Sequence, residues 1–182
     1  MRIIRDNTTA VIIDVQEKLL PHMDQHEQTL QKLVTLVRGL ATLSVPTILT
    51  EQYPRGLGST VPALMEAFGE PPPDPLIKAS FSCCDDDPFM QRLAETDRSM
   101  VIVAGIEAHV CVLQTTLDLL DREYTPVVVM DAVSSRSVRD REIAARRLER
   151  EGARLTTVES VLFELTRVSG TEEFKAISRL IN

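Results

Sequence analysis

The chain has 182 residues, of which 43% are hydrophobic and 26% are charged, and its formal net charge is −7. This composition is typical of a soluble globular protein, excludes disordered and collagen-like classes, and fits one domain over residues 1–182. Nucleic acids and anionic membrane surfaces attract basic proteins, so the excess of acidic residues argues against both as partners.

Short apolar runs rich in β-branched residues mark the predicted strands. In chain order they cover residues 10–15, 45–49, 76–77, 100–104, 126–130 and 153–158. Uninterrupted runs of this kind are typical of strands that are buried on both faces of a parallel sheet. The sequence therefore predicts a mainly parallel sheet of about six strands.

Helical periods separate these strands. Apolar residues three and four apart predict helices within residues 30–41, 109–122, 138–151 and 174–181, and segments rich in Pro and Gly predict loops at 50–60 and 69–75. Strands that alternate with helices need crossover connections. The predicted fold is a single-domain, doubly wound (Rossmann-like) α/β fold, a three-layer sandwich.

Cysteine usage and the first residues indicate the compartment. Three cysteines, two of them adjacent, do not make a disulfide framework, which favours a reducing environment. No apolar run approaches the ~18 residues of a spanning helix. The N-terminus resembles neither a secretory signal nor a transit peptide. We expect a cytoplasmic protein, with the mitochondrial matrix as the alternative.

Ligands of an open parallel sheet bind beyond the carboxyl ends of its strands, so the residues after the apolar runs are the site candidates. Asp14 ends the first run and is either a general base or a cap of the next loop. Cys111 falls in the first turn of the helix after the fourth run. A helix N-terminus can lower the pKa of a thiol, so Cys111 is either a nucleophile or an inert buried cysteine.

Two further residues follow apolar runs. Lys78 is either a solvated surface lysine or a cation that holds Asp14 and Cys111 in their charged forms. Asp131 follows the fifth run. Other motifs give weaker signals of function. His109 lies two positions before Cys111, a spacing at which helical side chains do not face each other. The adjacent Cys83 and Cys84 lack metal-ligand spacing and fit the start of a helix near Pro88.

Asp14, Lys78 and Cys111, in this order, resemble the isochorismatase-like cysteine hydrolases, the superfamily that includes nicotinamidases. The resemblance spans nearly the whole chain and rests on residues 11–19 (VIIDVQEKL), 78–82 (KASFS), 105–112 (GIEAHVCV) and 130–137 (MDAVSSRS). Residues 50–62 and 159–165 resemble the isochorismatase domain-containing subgroup. The resemblance implies that the three residues form a catalytic triad on a sheet of strand order 3-2-1-4-5-6. Since the third strand then lies ~10 Å from the first, we expect Lys78 to reach Asp14 from a loop.

The same resemblance implies further site features. A cis peptide bond between Ile106 and Glu107 would turn the backbone N–H of Glu107, with that of Cys111, toward a substrate oxyanion. Gln16, in the DVQ motif, would line the substrate pocket. The full set of expected pocket residues is Gln16, Gln52, Tyr53 and Ala108.

One motif of the relatives is missing. Nicotinamidases hold a metal with an Asp-x-His motif after the second strand, whereas the corresponding residues 50–53 are TEQY, and no His lies between His26 and His109. We therefore expect no metal and no other cofactor.

The function implied is metal-independent cysteine hydrolysis of the C–N bond of a small-molecule amide. One alternative is an isochorismatase-type vinyl-ether hydrolase, which depends on the Asp and can lack the thiol. Another is a non-catalytic member that acts as a binding or scaffold subunit. We also expect a homo-oligomer, because a neighbouring subunit can close a shallow cleft at the strand ends.

Overall fold

The computed structural model describes residues 2–181, so the two terminal residues of the predicted domain 1–182 lie outside the described part. The strands are β1 (Thr8–Ile13), β2 (Thr47–Gln52), β3 (Leu76–Lys78), β4 (Met100–Ile106), β5 (Thr125–Ser134) and β6 (Arg154–Thr156). They form one six-stranded sheet in the order β3-β2-β1-β4-β5-β6, and every neighbouring pair is parallel. The predicted doubly wound class and the strand order are both confirmed.

Helices connect the strands on both faces of the sheet. They are α1 (His26–Thr42), α2 (Pro54–Leu57), α3 (Pro62–Ala67), α4 (Asp87–Glu95), α5 (Leu113–Asp121), α6 (Val138–Glu151), α7 (Val158–Thr166) and α8 (Glu172–Ile181). A 3-10 turn (Cys83–Asp85) precedes α4, and a π-helical turn (Ala108–Val112) precedes α5. Within residues 2–181, no helix is long and apolar enough to span a membrane.

Two apolar clusters cover the opposite faces of the sheet. On one face, α1, α3, α7 and α8 pack against strand residues that include Ile12 and Ile102. On the other face, α4, α5 and α6 pack against residues that include Ile13 and Val103. Because successive side chains of a strand point to opposite faces, β1 and β4 supply both clusters, which explains their uninterrupted apolar sequences.

The strand order reverses between β1 and β4, and ligands of such sheets bind at the carboxyl ends of these strands. Gly105, near the end of β4, allows the two strands to approach closely there. A Cβ atom at this position would lie 2.1 Å from the carbonyl oxygen of Ile13. Any other residue would therefore push β4 away from the point at which the chain leaves β1.

Strand β5 is longer than predicted, and its pairing with β4 is irregular. The register shifts between the pair Val103–Val128 and the pair Gly105–Val133. The β5 residues between Val128 and Val133 therefore lie outside the regular pairing with β4, and β5 pairs with β4 again beside Gly105. This brings the residues that follow β5 next to the end of β4.

Candidate active site

Asp14 is the first residue after β1. Its backbone is left-handed (φ 54°), a conformation that Asp adopts more readily than most residues. The side chain is 0% exposed. Its Oδ1 accepts a hydrogen bond from Thr50 Oγ1 at 2.8 Å, and its Oδ2 accepts one from Lys78 Nζ at 2.6 Å. The carboxylate is thus paired and hydrogen-bonded, as a buried charge requires.

Lys78 is the last residue of β3 and is only 3% exposed. The expectation that it reaches Asp14 from a loop is wrong. Lys78 pairs with Gln52 in the register of the sheet, and its long side chain crosses the end of β2 to reach the carboxylate. The surface-lysine alternative is excluded as well.

The ammonium group of Lys78 is held by several acceptors. Besides Asp14, it donates to Gln52 Oε1 at 2.7 Å and to the carbonyl oxygens of Ser80 and Phe81 at 3.2 Å. Burial by itself lowers the pKa of Lys78, but the negative charge of Asp14 leads the opposing causes, and the net result is a pKa above the ordinary lysine value. Lys78 is therefore a permanent cation at neutral pH.

Cys111 lies in the π-helical turn that follows β4 and is 6% exposed. Burial raises the pKa of its thiol to about 12, the charge of Asp14 and a hydrogen bond to its carboxylate add to the rise, and Lys78 offsets part of it. The expectation that the helix N-terminus lowers this pKa is wrong, because desolvation by burial is the largest cause and raises the pKa. Cys111 is a neutral thiol beside a carboxylate.

The peptide bond between Ile106 and Glu107 is cis, at the predicted position. The carbonyl oxygen of Glu107 accepts hydrogen bonds from the N–H groups of Val110 and Val112, at 3.1 and 3.2 Å, and the second of these closes the π-helical turn. The carboxylate of Glu107 binds Nε of Arg136 at 3.0 Å. The backbone N–H groups of Glu107 and Cys111 stay a prediction as oxyanion donors.

The two glutamines hold the site together. Gln16 is 0% exposed, and its amide nitrogen donates to the carbonyl oxygens of Gln52 and Gly58, at 3.0 and 2.6 Å. Its Oε1 accepts from the backbone N–H of Gln52 at 2.8 Å. Backbone groups thus occupy its amide, and contact of Gln16 with a substrate stays a prediction. Gln52 orients Lys78 and donates from Nε2 to the Ala79 carbonyl at 2.7 Å.

The other two expected pocket residues differ in exposure. Tyr53 is 61% exposed, and its ring lies against Gly56, where an added Cβ would be 2.4 Å from ring atom Cε1. Ala108 is buried beside Cys111 in the apolar cluster beneath the sheet end. Their contact with a substrate stays a prediction.

Sequence reasoning missed two residues of this site. Thr50, on β2, bonds to Asp14 as described. Cys83 begins the 3-10 turn before α4, near the predicted helix start, but its fully buried thiol lies close enough to Lys78 and Asp14 for their charges to act on it. Only the preference for placing hydroxyl groups near a buried carboxylate could have indicated Thr50.

Two candidate residues lie outside the site. His109 Nδ1 pairs with Ser135 Oγ at 2.9 Å, away from a dyad with Cys111. Asp131 Oδ1 accepts from the Val158 N–H at 2.8 Å, where α7 begins. The carboxylate therefore supports a helix start.

The residues at the metal position of the nicotinamidases do not fit a metal. The carboxylate of Glu51 is nearly buried, and its Oε1 accepts from the backbone N–H and the hydroxyl of Thr60, at 2.6 and 2.8 Å. Among residues 2–181, no group of three or more His, Cys, Asp or Glu side chains could hold a metal ion.

The buried Asp–Lys–Cys cluster thus lies at the switch point of a doubly wound α/β fold. The isochorismatase domain model matches residues 8–160, and the chain belongs to the isochorismatase family, whose members are hydrolases. Human isochorismatase domain-containing protein 2 is 37% identical over 182 residues, which cover 99% of this chain and 85% of the relative.

Two solved structures extend the comparison. One, described as MAR1 ribonuclease from Caenorhabditis elegans, has a TM-score of 0.93 and 42% identity, and the match covers 100% of this chain and 92% of the other. The other, YcaC from Pseudomonas aeruginosa with hexane-2,5-diol and covalent acrylamide, has a TM-score of 0.89 and 28% identity, with 97% and 89% covered.

Proposed function

We propose that the chain is a cysteine hydrolase that cleaves the C–N bond of a small-molecule amide without a metal. The observation that carries the proposal is the buried ion pair between Asp14 and Lys78, at 2.6 Å, beside the thiol of Cys111. A thiol with an adjacent base, and a cation that orients the base, is the arrangement of an activated nucleophile.

The first step combines proton transfer with attack. With a thiol pKa of about 12, a free thiolate at pH 7 would cost roughly 7 kcal/mol. The proton of Cys111 therefore passes to Asp14 as the sulfur bonds to the amide carbon and the carbonyl π electrons move to oxygen. The backbone N–H groups of Glu107 and Cys111 stabilise the oxyanion, a contribution worth ~2.7–4 kcal/mol per donor in related chemistry.

The second half of the cycle regenerates the site. Collapse of the tetrahedral intermediate breaks the C–N bond, and the proton on Asp14 leaves with the amine. Asp14 then takes a proton from water, whose oxygen attacks the thioester carbon. The C–S bond breaks, the carboxylic acid leaves, and the proton returns to the sulfur of Cys111.

Access to the site favours a small substrate. Asp14, Lys78 and Cys111 are 0%, 3% and 6% exposed, so a polymer cannot reach all three without rearrangement. The relative described as a ribonuclease makes RNA worth testing, but a net charge of −7 repels a polyanion. The YcaC relative carries covalent acrylamide, a small electrophile, which fits a reactive nucleophile and a small ligand.

We also propose a homo-oligomer in a reducing compartment, the cytoplasm or the mitochondrial matrix. Tyr53, Ile77 and Phe81 expose most of their apolar surface around β3 and the loop after it, close to Lys78. A neighbouring subunit that covers these side chains would also shield the site from water. Light scattering at micromolar concentration tests this, and a mass of one chain would contradict it.

A substrate screen with two variants tests the function. Small amides and a vinyl ether are assayed with wild type, Asp14→Asn and Cys111→Ala, with Cys84→Ala as a control that removes a buried thiol away from the nucleophile. The proposal predicts amide hydrolysis that both site variants abolish, and a thioester adduct on Cys111 by mass spectrometry.

Other outcomes select the alternatives. Vinyl-ether hydrolysis that survives in Cys111→Ala but not in Asp14→Asn would indicate the isochorismatase-type reaction. No turnover on any compound, with ligand binding unchanged in both variants, would indicate a non-catalytic member. Turnover of RNA alone would exclude the small-molecule assignment.

A further inference from the structure

The ammonium group of Lys78 has more acceptors than protons. An ammonium carries three N–H donors. Among residues 2–181, the oxygens that accept from Lys78 Nζ are Asp14 Oδ2, Gln52 Oε1 and the carbonyl oxygens of Ser80 and Phe81. No N–H is therefore left over for a substrate. The last two acceptors belong to the loop 79–82 that follows β3, so the place of the ammonium depends on where this loop lies.

The sheet gives Lys78 only an indirect link to Cys111. Strand β3 has three residues and lies at the edge of the sheet, where β2 sets its register. Strands β2 and β1 separate it from β4, which leads to Cys111. Contacts between the loop 79–82 and the helix that follows Cys111 are therefore needed to hold the cation and the thiol in a fixed relation.

Each of residues 82–84 makes such a contact with α5 or with the residue after it. The contacts join Ser82 Oγ to Asp118 Oδ2 at 2.5 Å, the N–H of Cys83 to Thr115 Oγ1 at 2.9 Å, and Arg122 Nη2 to the carbonyl oxygen of Cys84 at 3.4 Å. Ser80 Oγ also donates to the carbonyl oxygen of Ser82, at 2.9 Å, which closes the loop around the ammonium.

The partners on the helix share one face with the nucleophile. Starting at the nucleophile, the residues four, three and four positions apart are Cys111, Thr115, Asp118 and Arg122. This spacing places them along one side of a helix. Ser82 and Thr115 are buried, so their contacts are shielded from water. A hydrogen bond in such a setting is stronger than an exposed one and fixes its two groups more firmly.

We propose that three polar side chains are positioning residues, which join the loop after β3 to α5 and thereby hold the ammonium of Lys78 beside Asp14 and Cys111. They are Ser82, Thr115 and Asp118. The proposal deepens the function above and rests on the site carrying out that reaction. Loss of these contacts should release the loop, so that the carbonyl oxygens of Ser80 and Phe81 hold the ammonium less firmly.

The ammonium protons of Lys78 give a measurement that needs no substrate. The chain has four lysines. Lys18, Lys32 and Lys175 are exposed, so their ammonium protons exchange rapidly with water. In protein labelled with ¹⁵N-lysine, buried Lys78 should give one ammonium signal, which Lys78→Arg removes.

Two deletion variants test the contacts. Because buried, hydrogen-bonded protons exchange only when the structure around them opens, Asp118→Ala and Thr115→Val should speed the exchange of the Lys78 protons by about threefold or more. Thr115→Val is nearly isosteric, and Asp118→Ala removes a second contact at a separate position. Either variant therefore suffices if the other does not fold.

Conservative variants separate positioning from packing. Asp118→Asn keeps an oxygen that can accept from Ser82, and Thr115→Ser keeps the hydroxyl, so both should exchange at the wild-type rate. Thr116→Val is the matched control, because Thr116 is also 0% exposed but donates within its own helix, to the Val112 carbonyl oxygen at 2.7 Å. Wild-type exchange in the deletion variants, or equal acceleration in Thr116→Val, would overturn the proposal.

Kinetics on the amide that the screen yields give a second measurement. The deletion variants should lower kcat about tenfold and leave KM unchanged, because these residues orient the cation and do not bind the substrate. A higher KM with the wild-type kcat would overturn the positioning role.

The two proposals fail separately. Faster exchange in the deletion variants of a protein that hydrolyses nothing would support the positioning contacts and reject the hydrolase. Conversely, turnover that Asp14→Asn and Cys111→Ala abolish, with wild-type exchange in Asp118→Ala and Thr115→Val, would support the hydrolase and reject the positioning contacts.

Discussion

Replacing Asp14 by Asn should abolish the proposed activity and make the thiol of Cys111 easier to alkylate. As the proposed base, Asp14 is needed for turnover. As a negative charge and hydrogen-bond partner, it is, after burial, the leading cause that raises the pKa of Cys111 to about 12. Asparagine keeps the size of the side chain but removes the charge, so the pKa of the thiol falls.

The size of the effect follows from two opposing trends. Removing a like charge at ~4–6 Å lowers a pKa by about 1–3 units. Each unit increases the thiolate fraction tenfold at a pH below the pKa, while the less basic thiolate reacts more slowly, with a Brønsted coefficient of ~0.4–0.5. The net gain is about threefold per unit, so alkylation at pH 8 should be about 3- to 50-fold faster.

The direction of the change in the pKa of Cys111 does not depend on whether Lys78 keeps its proton. If Lys78 stays charged, Asp14→Asn leaves a cation beside the thiolate and the pKa of Cys111 falls further. If Lys78 loses its proton, both charges are removed together. Because the charge of Asp14 raises the pKa of Cys111 more than the charge of Lys78 lowers it, removing both still lowers this pKa. In each case the thiol of Cys111 becomes more acidic than in wild type.

The assay is timed iodoacetamide labelling at several pH values, with the Cys111 peptide quantified by mass spectrometry. Cys84 serves as the internal reference, because Asp14 is not among the groups that shift its pKa. A rise in Cys84 labelling would report unfolding, and circular dichroism checks this independently. Unchanged or slower labelling of Cys111 in a folded Asp14→Asn protein would refute the assigned coupling.

Three further predictions concern stability and metal. Gly105→Ala should unfold the protein or sharply lower its melting temperature, because the new Cβ would lie 2.1 Å from the Ile13 carbonyl oxygen. Gly152→Ala, also at positive φ (103°) but in open space, should cost only about 1 kcal/mol in thermal melts. The thiols have pKa values raised from 9.0 to about 12. The folded state therefore binds their protons more tightly, so the free energy of unfolding should be flat below pH 9 and fall above it by about 1.4 kcal/mol per pH unit for each thiol. Urea melts under reducing conditions measure this slope, and a flat profile to pH 11 would contradict it. Any activity found should survive dialysis against EDTA, whereas a loss restored only by zinc would show that a metal site was overlooked.

The sheet was predictable because its strands are buried on both faces and so leave uninterrupted apolar runs. Helices that begin with proline were harder to predict. Pro54 and Pro62 occupy the first turns of α2 and α3, where the missing N–H is no loss, but the same residues also mark loops. Val158 was assigned to the sixth strand, whereas the side chain of Thr157 caps α7 and starts a helix there.

Position marked Asp14, Lys78 and Cys111 as candidates, since they follow strands that end at one edge of the sheet, and the family resemblance implied that they form a triad. The protonation state of the Cys111 thiol was not predictable, because the sequence shows that the residue lies near a helix N-terminus but does not show how deeply it is buried. Cys83 shows the same limit. Its backbone N–H donates to the hydroxyl of Thr115, 32 residues further along the chain, and no local pattern records that contact.

The charges of the site explain why Cys111 rests as a thiol. Lys78 supplies one positive charge, and the two acids near it, Asp14 and Cys111, together hold one negative charge when they share a single proton. Moving that proton from sulfur to carboxylate leaves the sum unchanged, so the buried region gains no net charge before the substrate carbonyl is attacked. In the proposed reaction the new negative charge then appears on the substrate oxygen, for which the N–H groups of Glu107 and Cys111 are the predicted donors. A preformed thiolate would instead place two anions beside one cation in a dry site, which is the costlier arrangement. The high pKa of Cys111 thus accords with catalysis that depends on Asp14 at the moment of attack.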